Sequence, residues 1–279
     1  MKLSVINTEL FKLDGGAMFG VVPKALWQRT NPADEHNMCT WAMRLLLLEF
    51  DDKKILIDTG IGNKQTEKFF SHYYLHGANK LDSSLEAIGY TKDDITDVIL
   101  THLHFDHCGG AIDKLEDGSL VPAFKNATYW SNEEHWKWAT EPNPREKASF
   151  LEENILPIKE SGQLKFLNKG EKLYNKIDFV WVHGHTDAMM CPKFEYKGKT
   201  IVYMADLLPS VGHIPLPFVM GYDTRPLLTM DEKKQFLDEA LEKNYILFLE
   251  HDPINECCTL KQGKKYVELD KTFNIHSLQ

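Results

Sequence analysis

Apolar residues in this chain come in short runs that end abruptly in polar residues. The stretches "TWAMRLLLLEF" (40–50) and "KKILIDTG" (53–60) flank Asp51-Asp52, which predicts two strands joined by a hairpin turn. "DVIL" (97–100), "IDFVWVHG" (177–184) and "ILFLEHD" (246–252) follow the same plan, an apolar strand and then ionisable side chains. "KFEYKGKTIVYMAD" (193–206) predicts a hairpin that turns at Lys197-Gly198. Between these runs the period changes. "DSSLEAIGY" (82–90) reads as a helix, and "REKASFLEENILPI" (145–158) as an amphipathic one. "SNEEHWKWA" (131–139) opens with Ser131 and has Glu134 three residues on, the spacing of a capping box. "TMDEKKQFLDEALEKN" (229–244) sets Phe236, Leu237, Ala240 and Leu241 on one helical face. Strands alternate with helices, and hairpins interrupt the alternation. That predicts a layered α/β domain with mixed sheets.

The polar residues that close the apolar runs are Asp58, the cluster 102–107, His185, Asp206 and His251. In layered α/β proteins sites gather where strands stop and loops begin. The pattern therefore predicts that several strands deliver ionisable side chains to sheet edges.

Composition narrows the chemistry. The chain has 279 residues, 43% hydrophobic and 26% charged, enough for a sizeable core. The net charge of −9 comes with no Lys/Arg block, which argues against nucleic acid as a partner. No apolar run reaches the ~18 residues of a membrane helix, and the first residues, "MKLSVINTELFKLDGG", lack the apolar stretch of a signal peptide. The five cysteines are odd in number, and only Cys257 and Cys258 are close together. That is neither a disulfide framework nor a zinc-ribbon spacing, and a reducing cytoplasm is the simplest compartment.

"LTHLHFDHCGG" (100–110) holds the densest chemistry. His102 and His104 are two apart, so in an extended segment both side chains point the same way. Asp106 and His107 come after the strand end, where the chain turns toward a second ligand direction. Gly109-Gly110 permits a close backbone turn. Chance gives H-x-H-x-D-H on the order of once in a thousand chains of this composition. His185, Asp206 and His251 offer further ligands at other strand ends.

This series, H-x-H-x-D-H with Gly-Gly, then Gly-His-Thr, then an aspartate, then a final histidine, resembles the metallo-β-lactamase-fold hydrolases. The resemblance implies a single domain over 1–279, a four-layer αββα sandwich of two mixed β-sheets. It implies two divalent metal ions, with zinc expected and manganese, iron or cobalt as alternatives. His102, His104 and His185 match ligands of one ion, and Asp106, His107 and His251 match ligands of the other. Asp206 matches the bridging carboxylate, and Asp58 the buried aspartate behind the ligands. The implied chemistry is attack by a metal-bridging hydroxide on an ester-type bond, with Asp106 as the catalytic proton carrier. "LDGGAMFGVVPKALW" (13–27) and "GHIPLPFVMGYD" (212–223) are similar to segments of the lactonase-like and organophosphate-hydrolase-like branch. The resemblance also suggests a homodimer built on 14–32 and 66–78, with a small-molecule substrate.

The departures bear on substrate. Asp206 argues against antibiotic hydrolysis, because the true β-lactamases of the fold lack that aspartate. Acyl-homoserine lactonases carry a tyrosine where Pro209 stands here. The usual Pro-Gly-His after Gly-His-Thr is replaced by Asp187-Ala188-Met189. A lactone is the expected substrate, with a carboxylic ester or phosphotriester alongside it. A glyoxalase II-like thioesterase and an iron-dependent sulfur dioxygenase are the alternatives. Phe19, His213 and Tyr222 are candidates for the substrate pocket, with core packing or a loop role as the competing reading of each. Cys108 is read as a small packed residue rather than a ligand. His72 and His76, four apart among aromatics, are read as part of an amphipathic helix or lid.

Overall fold

The computed structural model describes residues 1–278, and the chain divides into two compact units. The first comprises residues 1–9 and 43–169, the second 10–42 and 170–279. Two long strands, β1 (Lys2–Asp14) and β2 (Met38–Phe50), have residues in both. Each unit contains a mixed sheet, as the alternation of strands and helices predicts.

In the first unit β2 turns through Asp51 and Asp52 into β3 (Lys53–Ile57), pairing antiparallel from Leu46↔Ile57 to Phe50↔Lys53. Asp51 takes a positive φ of 53°, a conformation that Asp tolerates better than most residues. β3 then pairs parallel with β4 (Asp97–Ile99), β4 with β7 (Thr128–Ser131), and β7 with β8 (Leu164–Phe166). A small hairpin, β5 (Ile112–Lys114) and β6 (Leu120–Pro122), lies apart from this sheet. β2 pairs antiparallel with β3, yet Leu45 to Leu48 are buried on both faces of the sheet, which is why this run shows no alternation. Leu47, Leu56, Val98 and Tyr129 form the middle of this unit's core.

The second unit's sheet runs in the order β14-β13-β12-β11-β10-β9. Its strands are β9 (Ile177–Val182), β10 (Met189–Tyr196), β11 (Lys199–Tyr203), β12 (Ile246–Phe248), β13 (Cys257–Gln262) and β14 (Val267–Phe273). All neighbours are antiparallel except β11 and β12. β10 and β11 turn at Lys197 (φ 49°) and Gly198 (φ 74°). Two positive φ values in a two-residue loop match the right-handed twist of the flanking strands.

The helices stand close to expectation, with two shifts. In chain order they are α1 (Gly15–Phe19), α2 (Lys24–Trp27), α3 (Glu67–Ser71), α4 (Leu81–Glu86), α5 (Phe105–Cys108), α6 (Glu133–Thr140), α7 (Glu152–Glu160) and α8 (Pro226–Glu242). Asn132, not Ser131, caps α6; its side chain accepts from His135 N at 2.7 Å, while Ser131 ends β7. The helix expected over 145–158 begins only at Glu152. Asn143 Oδ1 accepts from the amides of Arg145 (2.9 Å) and Glu146 (3.2 Å) and so holds the chain before it in a turn. The predicted helix or lid around His72 is the short α3, with His72 as its C-cap and His76 beyond it. Among the described residues no helix is long and apolar enough to cross a membrane.

Leu47 is fully buried between strands, so Leu47→Ala leaves a cavity the sheet cannot close. The expected cost is about 2–5 kcal/mol, read as a lower urea midpoint at unchanged m. A loss under about 1 kcal/mol would mean that this side chain is not part of a tightly packed core.

Candidate metal centre

Each unit brings part of the predicted ligand set together at its own strand ends. In the first unit β4 runs out at Ile99, and Thr101 to His104 follow outside regular secondary structure before α5, with His104 in extended backbone. His102, His104, Asp106 and His107 are all buried, as is Asp58 at the end of β3. The glycines after the cluster set the approach of the backbone. A Cβ on Gly109 would come within 2.1 Å of Ile61 O, and one on Gly110 within 2.2 Å of Thr59 O. The loop carrying Asp58 can therefore lie against the turn carrying His107. Thr59 N and Thr59 Oγ1 both donate to His107 O, at 2.8 and 2.9 Å.

Asp58 orients this group. Its carboxylate accepts from Thr101 N (2.8 Å), Thr101 Oγ1 (2.7 Å) and His107 Nδ1 (3.1 Å). Because the Thr101 hydroxyl proton is used on Asp58, Thr101 Oγ1 faces His102 Nδ1 (3.1 Å) as an acceptor. Both rings thus carry their proton on Nδ1 and present the Nε2 lone pair. His104 is turned the other way. Its Nε2 lies 3.4 Å from the buried Glu146 carboxylate, so its Nδ1 is the exposed lone pair. That Nδ1 stands 3.1 Å from His102 Nε2. Two lone pairs at this distance repel unless a cation or proton lies between them. Asp106 Oδ2 is 3.9 Å from His107 Nε2.

The second unit repeats the arrangement. His185 follows β9 and donates from Nδ1 to Asp223 Oδ1 at 3.0 Å. His251 follows β12 and donates from Nδ1 to the carbonyl of Ala42 at 2.7 Å. Both Nε2 atoms point at one carboxylate. Asp206 Oδ2 lies 3.0 Å from His185 Nε2, and Asp206 Oδ1 lies 3.1 Å from His251 Nε2. Burial opposes charge on His185, yet Asp206 and Asp223 outweigh it and carry its pKa up to about 10. This negative environment calls for a proton or a cation on the ring.

The residues fit a divalent metal by the chemistry of their donors. Four of the five histidines have the second nitrogen tied to a carboxylate, a carbonyl or a hydroxyl backed by Asp58, and the fifth faces Glu146. This is how metal-binding imidazoles are held in the right tautomer. Nitrogen and oxygen donors without thiolate suit zinc and other first-row divalent ions. Cys108 is no ligand: it is buried, its thiol is pushed up to about 12 by that burial, and Sγ donates to Leu103 O at 3.2 Å.

The sequence profile of the metallo-beta-lactamase superfamily matches residues 45–251, which contain all seven candidate ligands. The chain belongs to the metallo-beta-lactamase superfamily. An N-acyl homoserine lactonase of Bacillus thuringiensis is 32% identical over 229 residues, covering 77% of this chain and 82% of the relative. A probable metal-dependent hydrolase from Staphylococcus aureus matches in structure with a TM-score of 0.87 at 27% identity, over 98% of both chains. A dizinc quorum-quenching lactonase, AidC, matches with a TM-score of 0.78 at 23% identity, over 98% of this chain and 95% of that one, a likeness of fold. The two mixed sheets are those of the metallo-β-lactamase fold, and the protein is a metallo-hydrolase.

The three candidate pocket residues lie in the second unit. Phe19 and His213 are buried and stack face to face, ring centroids 4.4 Å apart, with Trp27 stacked on the other partner, Phe19, at 5.2 Å. Tyr222 is 39% exposed. Several supporting residues escape sequence reasoning. His135 Nε2 accepts from Leu103 N at 2.8 Å and so pins the peptide between the two leading histidines. Glu146 and Asp223 back up ligands from far along the chain, and neither sits in a pattern that marks it.

His213 donates from Nε2 to Met18 O (2.9 Å), so its Nδ1 must accept from Ser210 Oγ (3.0 Å). Burial lowers its pKa to about 3, against 6.5 when unfolded. The unfolded chain therefore binds the extra proton first, and stability is lost as pH falls from 6.5 toward 3. Native protein should lose up to about 1.4 kcal/mol per pH unit more than His213→Gln across that window. Denaturant titrations at a series of pH values measure this, and parallel curves would refute a neutral buried His213.

Proposed function

We propose that the protein is a dinuclear hydrolase that opens a lactone, of the N-acyl homoserine type or a close relative. The observation that carries this reading is the Asp206 carboxylate, with one oxygen on each of two imidazole Nε2 atoms. A carboxylate that serves two histidines in this way is the chemistry of a bridging ligand. His102, His104 and His185 would hold one ion, Asp106, His107 and His251 the other, and Asp206 both. The ions, zinc or another first-row divalent metal, would supply Lewis acidity to the carbonyl oxygen and lower the pKa of water. The relatives named above as lactonases support the substrate class.

The chain's own residues do the rest. Asp106 is the one carboxylate of the H-x-H-x-D-H stretch, and it carries the proton of the attacking water to the leaving alkoxide oxygen. Asp58, through His107 and Thr101, keeps the rings from rotating. Phe105, between His104 and Asp106, packs edge-on to Phe69 (5.3 Å) and against Tyr73 (4.8 Å). These rings make an apolar wall beside the ligands, suited to an acyl chain and to the exclusion of water.

Elemental analysis and a pH-stat assay test the reading. Native protein should carry two ions and release acid from an N-acyl homoserine lactone faster than from an aryl ester or a phosphotriester. Asp206→Ala should lose at least one ion. Asp106→Asn should lower kcat by roughly 10²–10⁴-fold. One ion in native protein, or an unchanged metal content in Asp206→Ala, would reject the bridge. Faster turnover of a glutathione thioester would reject the lactone.

A further inference from the structure

The peptide that carries His185 is gripped from one side by a single segment, residues 223–232. The Glu232 carboxylate, on the second turn of α8, accepts from His183 N (2.7 Å) with one oxygen and from Gly184 N (2.9 Å) with the other. Arg225 Nη1 donates to His183 O at 2.7 Å and to Asp187 Oδ1 at 2.6 Å. Arg225 N donates to Gly184 O at 2.9 Å, and Thr224 N to His185 O at 3.1 Å. Gly184 lies so close that a Cβ there would fall within 2.4 Å of Thr229 N. The amides of His183 and Gly184 and the carbonyls of residues 183–185 are thus all tied to this one segment. Asp187 supplies the far end of the grip through Arg225.

We propose that Glu232 and Arg225 form a charged clamp whose role is to fix the position of His185 as a metal ligand. The inference rests on the dinuclear reading above. Asp223 holds the ligand's ring, while Glu232 and Arg225 hold the backbone before it and the Asp187 side chain after it. A carboxylate that accepts two adjacent amides sets the peptide planes of His183 and Gly184, and with them the direction in which the His185 side chain leaves the chain. Arg225 closes the loop from the other end by holding Asp187 and the His183 carbonyl with one nitrogen. Truncating either side chain leaves this loop held from the segment only by the main-chain bonds of Thr224 N and Arg225 N and by the remaining partner. Both are therefore positioning residues, and the property they govern is how firmly the metal is held.

The test follows zinc transfer from the loaded, full-length protein to a chromophoric chelator, together with the visible spectrum of the cobalt-loaded form. Glu232→Ala and Arg225→Met should release one ion about ten- to a hundredfold faster than native protein, with altered cobalt bands. Glu232→Gln keeps one acceptor oxygen and Arg225→Lys keeps the charge, so both should fall between. These conservative variants also serve if the larger changes do not fold. Release rates and cobalt bands equal to native in Glu232→Gln and Arg225→Lys, or in the truncations, would overturn the clamp. Native protein that takes up neither zinc nor cobalt would overturn the dinuclear reading, and the clamp with it. Two ions bound natively and held equally by every variant would overturn the clamp alone.

Discussion

A buried carboxylate at the end of β3 organises the ligand-bearing turn of the first unit. Asp58 is fully buried and takes a positive φ of 57°. A charge in that position is tolerable only when hydrogen bonds satisfy it, and three donors do so. Those donors come from the end of the neighbouring parallel strand and from the turn beyond it. One residue therefore ties two strand ends together and sets the tautomers of His102 and His107. Removing its carboxylate would strand three buried donors at once, which is costlier than losing three exposed hydrogen bonds. The Gly109-Gly110 pair belongs to the same constraint, because only glycine lets the two loops come close enough for Asp58 to reach.

The second unit meets the same requirement with different parts. Asp223 and the carbonyl of Ala42 do for His185 and His251 what Asp58 does for His107. Asp206 is then left facing two nitrogen lone pairs. The rise in the His185 pKa is the electrostatic expression of this arrangement: without a cation, the site takes up a proton. A metallo-hydrolase gains from such tension, because the ligands are oriented before the ion arrives and the ion relieves it on binding. Lys233 shows the structural counterpart. This buried lysine donates to the carbonyls of His213, Pro215 and Phe218 and so organises the loop that leads to Asp223.

Much of this was legible in one dimension. The strands ending in Asp58, the 102–107 cluster, His185, Asp206 and His251 announce themselves because burial on two faces demands unbroken apolar runs, and the polar residue that ends each run stands out. The β10–β11 turn was readable from Lys197-Gly198. The errors fall where a side chain competes with the backbone. Asn143 held the chain in a turn where amphipathic spacing called for helix, and Asn132 took the capping position from Ser131.

What the sequence by itself determined is the strand end at which each candidate ligand stands, since that depends on local period, and the motifs that carry the resemblance to the family. The roles of Glu146, His135, Asp223, Arg225 and Glu232 were decided only by the tertiary structure. Each acts on a residue tens of positions away, through one or two hydrogen bonds whose partners no local pattern specifies. The way each imidazole faces was decided there too. A histidine in a sequence has two equivalent-looking nitrogens, and only the group buried behind the ring determines which one keeps its lone pair for a metal.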